Sequence, residues 1–390
     1  MYCTKKITSD LIWLGGSDRR LALFENVYPI PRGVSYNAYL IQDEKTALLD
    51  TVDQAIAERF FENLEHALQG KPLNYVIVNH MEPDHSALMS LVRKEYPGIQ
   101  IVTNAKAVPM IEGYQGITDN VKVIKEGEIL SLGSVSLTFA MIPMVHWPET
   151  MVTYLAEEQT LFSGDAFGCF GAVEGGICDR FEEYRDEMVR YYASIVGKYG
   201  QPVQAALKKL SGLALSRICS THGPVWESQI PQVVALYDRM SRYETDKGVC
   251  IVVGSMYGNT EKAAEAIHAE LVKRGVKCVI HNAVTENPSF IYKDVFEYNT
   301  LICGSPTYNN DIFPAVREVL YGVCARQVKN HGFAAFGSFT WAGASVRLMN
   351  EMASASGLKL LSEGMSFRQG FGDKYSDNVK AFVDEVINNM

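Results

Sequence analysis

The pattern of apolar and polar positions differs between the two halves of the 390-residue chain. From residue 248 onward, short apolar runs such as "VCIVVGS" and "TLICGSP" alternate with amphipathic stretches such as "NTEKAAEAIHAELVKRG". This alternation predicts parallel strands, because parallel neighbours need crossover helices between them. Five strands separated by helices therefore predict an α/β domain with a doubly wound parallel sheet over residues 248–390.

Residues 1–247 show a different pattern. Hairpin-like pairs occur in "NAYLIQDEKTALLD" and in "VKVIKEGEILSLGSVSLTFAMI", and long helical stretches follow near residues 180–200 and 230–244. The pattern predicts an α+β domain of mixed sheets. The polar segment "RYETDKG", which ends at Gly248, predicts a linker, so we expect domains at 1–247 and 248–390.

Composition narrows the class of protein. Hydrophobic residues make up 47% and charged residues 21% of the chain, values that are typical of a folded globular protein. No apolar run reaches the roughly 18 to 20 residues that a membrane helix needs, and "MYCTKKITSD" lacks the apolar core of a signal peptide. We therefore expect a cytoplasmic protein without membrane contact.

Charge and cysteine usage exclude further classes. The formal net charge of −9 disfavours a nucleic-acid partner. The acidic excess lies in residues 1–247, which hold 31 Asp and Glu against 23 Lys and Arg, and metal cations could neutralise part of it. The eight cysteines form no C-x-x-C pair, which argues against a zinc ribbon, a rubredoxin-like iron site or a disulfide framework. Most of them are expected to be reduced and buried.

One short stretch concentrates groups that can bind metals. "NHMEPDHS" follows the predicted strand "NYVIVN" and precedes the predicted helix "SALMSLVRKEY", and it contains His80, Glu82, Asp84 and His85. Alone, one such residue would more often be a cap or a surface group. Four together would repel one another and compete for solvent, whereas one or two cations would satisfy all of them.

Three more candidate ligands lie farther along the chain. His146 in "PMVHWPET", Asp165 in "LFSGDAFG" and His222 in "CSTHGPVW" each follow an apolar, strand-like run and precede a turn signal. Asp165 alone would be read as a turn or a helix cap. Together with the other six positions it predicts a metal site.

The spacing H-x-E-x-D-H, followed by His146, Asp165 and His222, resembles the metallo-β-lactamase fold, whose zinc hydrolases carry H-x-H-x-D-H. Here Glu82 stands at the second histidine, and a carboxylate-rich site suits iron. With its doubly wound second half, the whole chain resembles the flavodiiron proteins (A-type flavoproteins). The resemblance implies a metallo-β-lactamase-like αββα sandwich followed by a flavodoxin-like domain.

The resemblance also implies a ligand set and an activity. One iron would be held by His80, Glu82 and His146, and the second by Asp84, His85 and His222, with Asp165 as the bridge. Such a non-haem diiron centre, fed with electrons by FMN, would reduce dioxygen to water, nitric oxide to nitrous oxide, or both.

The turn "GSMYGNTEKAA" predicts a phosphate site, since Ser255, Asn259 and Thr260 offer donors and Gly258 permits a tight turn at a helix N-terminus. It matches neither a Walker loop nor G-x-G-x-x-G. It resembles the flavodoxin phosphate loop, although Tyr257 stands where a small hydroxyl residue is usual. An ordinary capped helix start is the alternative interpretation of this loop alone.

Two further loops, "GSPTYNND" and "GSFTWAG", follow later strands, where an open α/β sheet binds its ligand. Trp341 is expected near the flavin ring, with Tyr308 and Thr307 on the opposite side. The short domain favours FMN over FAD. The residues expected to contact FMN are Ser255, Met256, Tyr257, Gly258, Asn259, Thr260, Pro306, Thr307, Tyr308, Asn309, Ser338, Phe339, Thr340, Trp341, Ala342 and Gly343.

The partners follow from the same resemblance. The chain ends without a C-x-x-C rubredoxin extension, so a rubredoxin-like protein or a reduced deazaflavin is expected to deliver the electrons. A head-to-tail homodimer, or a dimer of such dimers, is expected to bring FMN and iron together. Two alternatives remain at this point. One is a zinc-dependent hydrolase with a flavodoxin-like appendage, and the other is an electron carrier that has lost its metal.

Overall fold

The protein is described by a computed structural model that covers residues 2–173, 176–178 and 180–390. Contacts divide the chain into two compact units. The first comprises Met1–Tyr192 with Gln201–Asp238, and the second comprises Ala193–Gly200 with Arg239–Met390.

The first unit is built on two seven-stranded sheets. In spatial order, the strands of the first sheet are Lys5–Lys6, Leu11–Trp13, Tyr39–Gln42, Thr46–Leu49, Tyr75–Ile77, Gln100–Asn104 and Val121–Ile124. Those of the second sheet are Ile129–Ser131, Ser136–Met141, Met151–Leu155, Thr160–Gly164, Arg217–Ser220, Val225–Trp226 and Ile177–Cys178. Tyr39 and Val102 of the first sheet share one buried core with Phe139 and Phe162 of the second. The expected sandwich of two mixed sheets is confirmed.

The two hairpin predictions have different outcomes. Tyr39–Gln42 pairs antiparallel with Thr46–Leu49, as predicted. Val121–Ile124 instead lies parallel to Gln100–Asn104 at the edge of the first sheet, whereas Ile129–Ser131 begins the second sheet. Within this second predicted stretch, Ile129–Ser131 pairs antiparallel with Ser136–Met141 as expected of a hairpin. Only the inclusion of Val121–Ile124 is wrong, because an alternating pattern shows which side chains are buried but not which sheet a strand joins.

Helices accompany both sheets. Those before residue 242 are Ala57–Leu68, Pro83–Ser86, Met89–Glu95, Val108–Gln115, Phe181–Tyr191, Gly200–Leu210 and Ile230–Ser241. Short 3-10 and π-helical turns span Gln54–Ile56 and Tyr192–Val196. Two small two-stranded sheets pair Gly16–Asp18 with Val34–Tyr36 and Leu23–Phe24 with Tyr28–Pro29. The helical stretches predicted near 180–200 and 230–244 are present.

Helical structure in the candidate metal motif begins earlier in the chain than predicted. The helix expected to start at Ser86 is split into the single turn Pro83–Ser86 and the helix Met89–Glu95. Pro83 suits a first helical position, because its missing N–H would have no partner there. Asp84 and His85 therefore lie on a helical turn, whose backbone fixes their directions.

The second unit contains a parallel sheet with helical crossovers. In spatial order its strands are Cys278–Asn282, Asp246–Val253, Tyr298–Tyr308, Gly332–Phe339 and Lys359–Leu360. Met365–Arg368 also pairs with Gly332–Phe339, farther along the strand than Lys359–Leu360. Its helices are Asn259–Lys273, Pro288–Glu297, Pro314–Ala325, Ser345–Ala355 and Ser376–Asn389. Two smaller elements are the antiparallel strand Asp311–Ile312 and the 3-10 turn Asp373–Tyr375. The predicted doubly wound sheet is confirmed, and its first strand already begins at Asp246, within the segment expected to be a linker.

Two expectations concern the chain as a whole. Among the described residues, no helix is both long enough and apolar enough to cross a membrane. The seven cysteines whose side chains the structure describes are all free, and Cys169, Cys219, Cys250 and Cys303 are buried.

An ion cluster stabilises one edge of the second unit. His281 Nδ1 lies 2.7 Å from Glu286 Oε2, and His281 Nε2 lies 2.8 Å from Asp294 Oδ2. Burial disfavours the charged imidazole, but the hydrogen bonds with Asp294 and its other polar neighbours outweigh burial and raise the pKa of His281 to about 11. His281 is therefore an imidazolium that donates to both carboxylates.

Replacing His281 by Gln should lower the free energy of unfolding of the second unit by roughly 1 to 3 kcal/mol near neutral pH. Because the folded pKa is raised, this stabilisation is complete below an unfolded pKa of about 6.5 and is lost as the pH rises through about 11. The difference between parent and His281→Gln should thus shrink from about pH 7 to about pH 10 in denaturant titrations. His268→Gln, on the helix Asn259–Lys273, is the control. A difference that grows with pH would contradict the assignment.

Candidate metal centre and flavin pocket

Strand ends of both sheets of the first unit carry the seven candidate metal ligands. In the first sheet, the strand Tyr75–Ile77 leads to His80 and the turn that follows it. In the second sheet, Asp165 follows Thr160–Gly164 directly and His222 follows Arg217–Ser220. His146 lies between the strands Ser136–Met141 and Met151–Leu155.

The structure brings all seven residues together in two groups. The first group is His80, Glu82, His146 and Asp165, and the second is Asp84, His85 and His222. Within each group, the potential ligand atoms lie within 4.8 Å of one another. This grouping is the one that the family resemblance implies.

Asp165 faces both groups with different oxygens. Its Oδ2 lies 3.0 Å from His146 Nε2, and its Oδ1 lies 2.8 Å from His85 Nε2. A carboxylate held in this way can give one oxygen to each of two cations. Thr221 Oγ1 donates to Asp165 Oδ1 at 2.6 Å and so fixes its orientation.

Opposite charges hold the ligand cluster together. Burial would raise the pKa of Asp165, but the charge of His85 and the hydrogen bond from His146 hold it well below its usual value. Burial would lower the pKa of His146, but its hydrogen bonds with Asp165 and Glu82 raise it to about 9. Since a histidine must be neutral to bind a metal, iron would take the place of these protons.

Orphaned polar atoms show that the second group fits a cation. Both carboxylate oxygens of Asp84, both ring nitrogens of His85 and Nε2 of His222 are buried without a hydrogen-bond partner. His85 Nε2 lies near Asp165 but without hydrogen-bond geometry. Buried polar atoms without partners are costly, and a cation among these residues would satisfy them.

Residues that the sequence analysis missed support the ligands. His80 Nδ1 lies 2.8 Å from Glu149 Oε1, and His222 Nδ1 lies 2.8 Å from the carbonyl oxygen of Ser35. Glu149 stands three residues after His146 in "HWPET", which was a usable signal. Nothing near Ser35 in the sequence indicates its contact, because the two partners are 187 residues apart.

Aromatic rings enclose the second group. The rings of Phe24, Tyr36 and Tyr191 lie 5.2, 5.6 and 5.6 Å from that of His222. Trp147 lies 5.2 Å from His80 at the first group. Low polarity around the site strengthens electrostatic interactions within it.

The second unit contains a pocket of about 690 Å³ where the flavin was expected. This volume falls in the range of small-molecule sites. The lining residues are Ser255, Met256, Tyr257, Asn259, Thr260, Pro306, Thr307, Tyr308, Asn309, Asn310, Ser338, Phe339, Thr340, Trp341, Ala342, Gln369 and Gly370.

Most of the predicted flavin contacts lie in this lining, with two exceptions. Gly258 is not part of it, but its φ of 84° supplies the turn before the helix Asn259–Lys273. Gly343 lines a neighbouring cavity instead. Three further lining residues were not predicted from the sequence: Asn310, Gln369 and Gly370. The last two follow the strand Met365–Arg368.

The walls of the pocket differ in character. Thr260 is buried at the start of its helix, and its hydroxyl lies 3.0 Å from that of Ser338. Tyr257 and Trp341 are 89% and 86% exposed at the rim. A polar, enclosed end beside a helix N-terminus suits a phosphate, and an aromatic rim suits a planar ring.

Comparisons with known proteins agree with this architecture. The family model "ODP family beta lactamase" matches residues 34–223, and the model "Flavodoxin" matches residues 251–380. A nitric oxide reductase of Moorella thermoacetica is 31% identical over 363 residues, which are 92% of this chain and 91% of that protein. A flavo di-iron protein of Thermotoga maritima, solved as a single-residue mutant, is 27% identical with a TM-score of 0.93 over 100% of this chain and 98% of that one.

The chain belongs to the flavodiiron protein family. Rubredoxin oxygen:oxidoreductase of Desulfovibrio gigas, another structure of this kind, has a TM-score of 0.96 and 27% identity over 99% of this chain and 98% of that one. Membership confirms the expected fold, the oxidoreductase class, and FMN with two non-haem irons as cofactors. The zinc hydrolase is therefore not favoured.

Replacing Thr260 by Val removes a buried hydroxyl from the polar end of the pocket. We expect FMN binding to weaken by roughly 1 to 3 kcal/mol, the usual cost of leaving a buried polar group unpaired. Titration of the flavin-free protein with FMN, followed by quenching of flavin fluorescence, measures the change. Thr300→Val is the control, since Thr300 is a buried threonine of the same unit, on the strand Tyr298–Tyr308, that does not line the pocket. Equal FMN affinity in both variants would show that the FMN phosphate does not bind at this end of the pocket.

Proposed function

We propose that this flavodiiron protein reduces dioxygen to water, or nitric oxide to nitrous oxide, at the cluster around Asp165. The observation that carries the proposal is the placement of one buried carboxylate between two ligand groups, with one oxygen toward each. Relatives named for each gas, the nitric oxide reductase of Moorella and the oxygen oxidoreductase of Desulfovibrio, support both substrates.

The seven residues divide the work of binding iron. His80, Glu82 and His146 would hold one iron, whereas Asp84, His85 and His222 would hold the other, with Asp165 shared. When bound, the two irons supply adjacent redox-active positions at which a diatomic gas can bind. The chain's own part is to fix the spacing through Asp165, to orient His80 and His222 by their Nδ1 partners, and to limit water through the surrounding aromatic rings.

The second unit would deliver electrons through FMN in the pocket between Thr260 and Trp341. The name of the Desulfovibrio protein supports a rubredoxin-type donor, and a reduced deazaflavin stays the alternative. The two family matches leave residues 224–250 between them, which supports a domain boundary near residue 247. The cytoplasmic location stays a prediction from the sequence.

We further propose a head-to-tail homodimer, or a dimer of such dimers, in which the FMN of one chain faces the iron pair of its partner. Tyr257 and Trp341 support this arrangement, because large aromatic side chains exposed at the rim of a pocket favour contact with a partner. A two-fold interface between two unlike units closes on itself.

Replacing Asp165 by Ala removes the shared carboxylate. We expect the iron content to fall well below two per chain and gas reduction to drop by roughly 100-fold or more, while the FMN spectrum persists. Metal analysis and anaerobic assays with each gas measure both effects. Asp186→Ala, an exposed aspartate of the same unit, is the control. Unchanged turnover in Asp165→Ala would refute the assignment.

Mixed dimers test the proposed assembly. Chains with Asp165→Ala would be combined with chains impaired in FMN binding at Thr260, after each has been shown to be nearly inactive alone. A mixed dimer then has one intact FMN facing one intact iron pair, so activity should return. Two different affinity tags isolate the mixed dimers and prove exchange. Isolated mixed dimers without recovered activity would point to electron transfer within one chain.

A further inference from the structure

The two proposed iron positions have the same ligand types. Each position has two imidazoles and one terminal carboxylate, and one oxygen of Asp165 faces each position. The atoms that would touch iron therefore give no reason for the positions to differ. A difference can come from what lies behind the imidazoles.

Behind His80 lies a buried carboxylate. Glu149 is 2% exposed, and its Oε1 lies 2.8 Å from His80 Nδ1. The same oxygen accepts the backbone N–H of Met81 at 3.0 Å. The backbone carbonyl of Glu149 accepts from Asn104 Nδ2 at 2.5 Å. Hydrogen bonds therefore hold both the side chain and the backbone of Glu149 in place. Glu149 thus holds His80 with Nε2 turned toward the ligand cluster.

At the other position, no described carboxylate outside the ligand set hydrogen-bonds an imidazole. His222 Nδ1 faces the neutral carbonyl of Ser35, and His85 Nδ1 is buried without a partner. Asp50 lies nearby, but its oxygens accept from the backbone and side-chain amides of Asn79. Within the described part of the chain, Glu149 is the one carboxylate outside the ligand set that hydrogen-bonds a ligand imidazole.

We propose that Glu149 is a positioning residue that makes the His80 position the tighter of the two iron sites. A carboxylate that accepts from the far nitrogen of a ligand imidazole fixes its tautomer and orientation and raises its basicity, and the loss of such a partner costs about 10- to 100-fold in metal affinity. The His85 and His222 position lacks this support and releases its iron first. This inference rests on the proposed function.

Stepwise iron removal tests it. Protein loaded anaerobically with two ferrous irons is mixed with phenanthroline, and the coloured complex is followed in time. We expect a fast and a slow phase of about one iron each. His222→Asn should abolish the fast phase and keep the slow one, whereas His146→Asn should abolish the slow phase. Retention of the slow phase in His146→Asn, in which Glu149 is intact, would by itself overturn the proposal.

Glu149→Gln keeps an acceptor for His80 but removes the charge. We expect the slow phase to accelerate by about 10- to 100-fold, with the fast phase and the FMN content unchanged. Asp53→Asn is the matched control, since it removes a charge near Asp84 and His85 without a contact to His80. An unchanged slow phase, or equal acceleration of both phases, in Glu149→Gln would overturn the inference.

The same experiment distinguishes a failure of the proposed function from a failure of the role of Glu149. A parent protein that binds no iron contradicts the proposed function. A parent that binds two irons, with a slow phase unaffected by Glu149→Gln, contradicts the role of Glu149 alone. Mössbauer spectra of protein reloaded with ⁵⁷Fe after the fast phase give an independent readout, because only the vacated position then carries the label.

Discussion

The burial of three carboxylates beside four imidazoles is the constraint on which the first unit depends. Glu82, Asp84 and Asp165 have little contact with water, and carboxylates removed from water must be paired or bound to cations. In the structure, His85 and His146 supply the opposing charge. Two metal ions would do so more completely, because they would also satisfy the buried atoms of Asp84 and His222 that have no hydrogen-bond partner.

The ligand residues themselves could be predicted, because the information is local. His80, Glu82, Asp84 and His85 are crowded into six positions after an apolar run, and Asp165 follows another such run. Their division into two groups came from the family resemblance and not from the spacing. The parallel sheet of the second unit was predictable for a similar reason, since its strands and helices alternate regularly along the chain.

What the sequence did not reveal depends on contacts between distant segments. Ser35 is 187 residues from His222. Glu149 follows the ligand His146 closely, but its contact with His80 spans 69 residues. Gln369 joins the flavin pocket only because the strand Met365–Arg368 lies beside Gly332–Phe339. The passage of the chain from one sheet to the other between residues 124 and 129 was likewise invisible, since strands in both sheets follow the same alternating pattern.

The ligands come from both layers of the sandwich. His80 and its turn follow a strand of the first sheet, whereas Asp165 and His222 follow strands of the second. An ion bound by His80 and Asp165, or by His85 and His222, therefore ties the two layers to each other at their edge, much as a disulfide would. The free energy with which such an ion binds becomes part of the free energy of folding. In this unit, tighter metal binding therefore raises the resistance of the sandwich to unfolding.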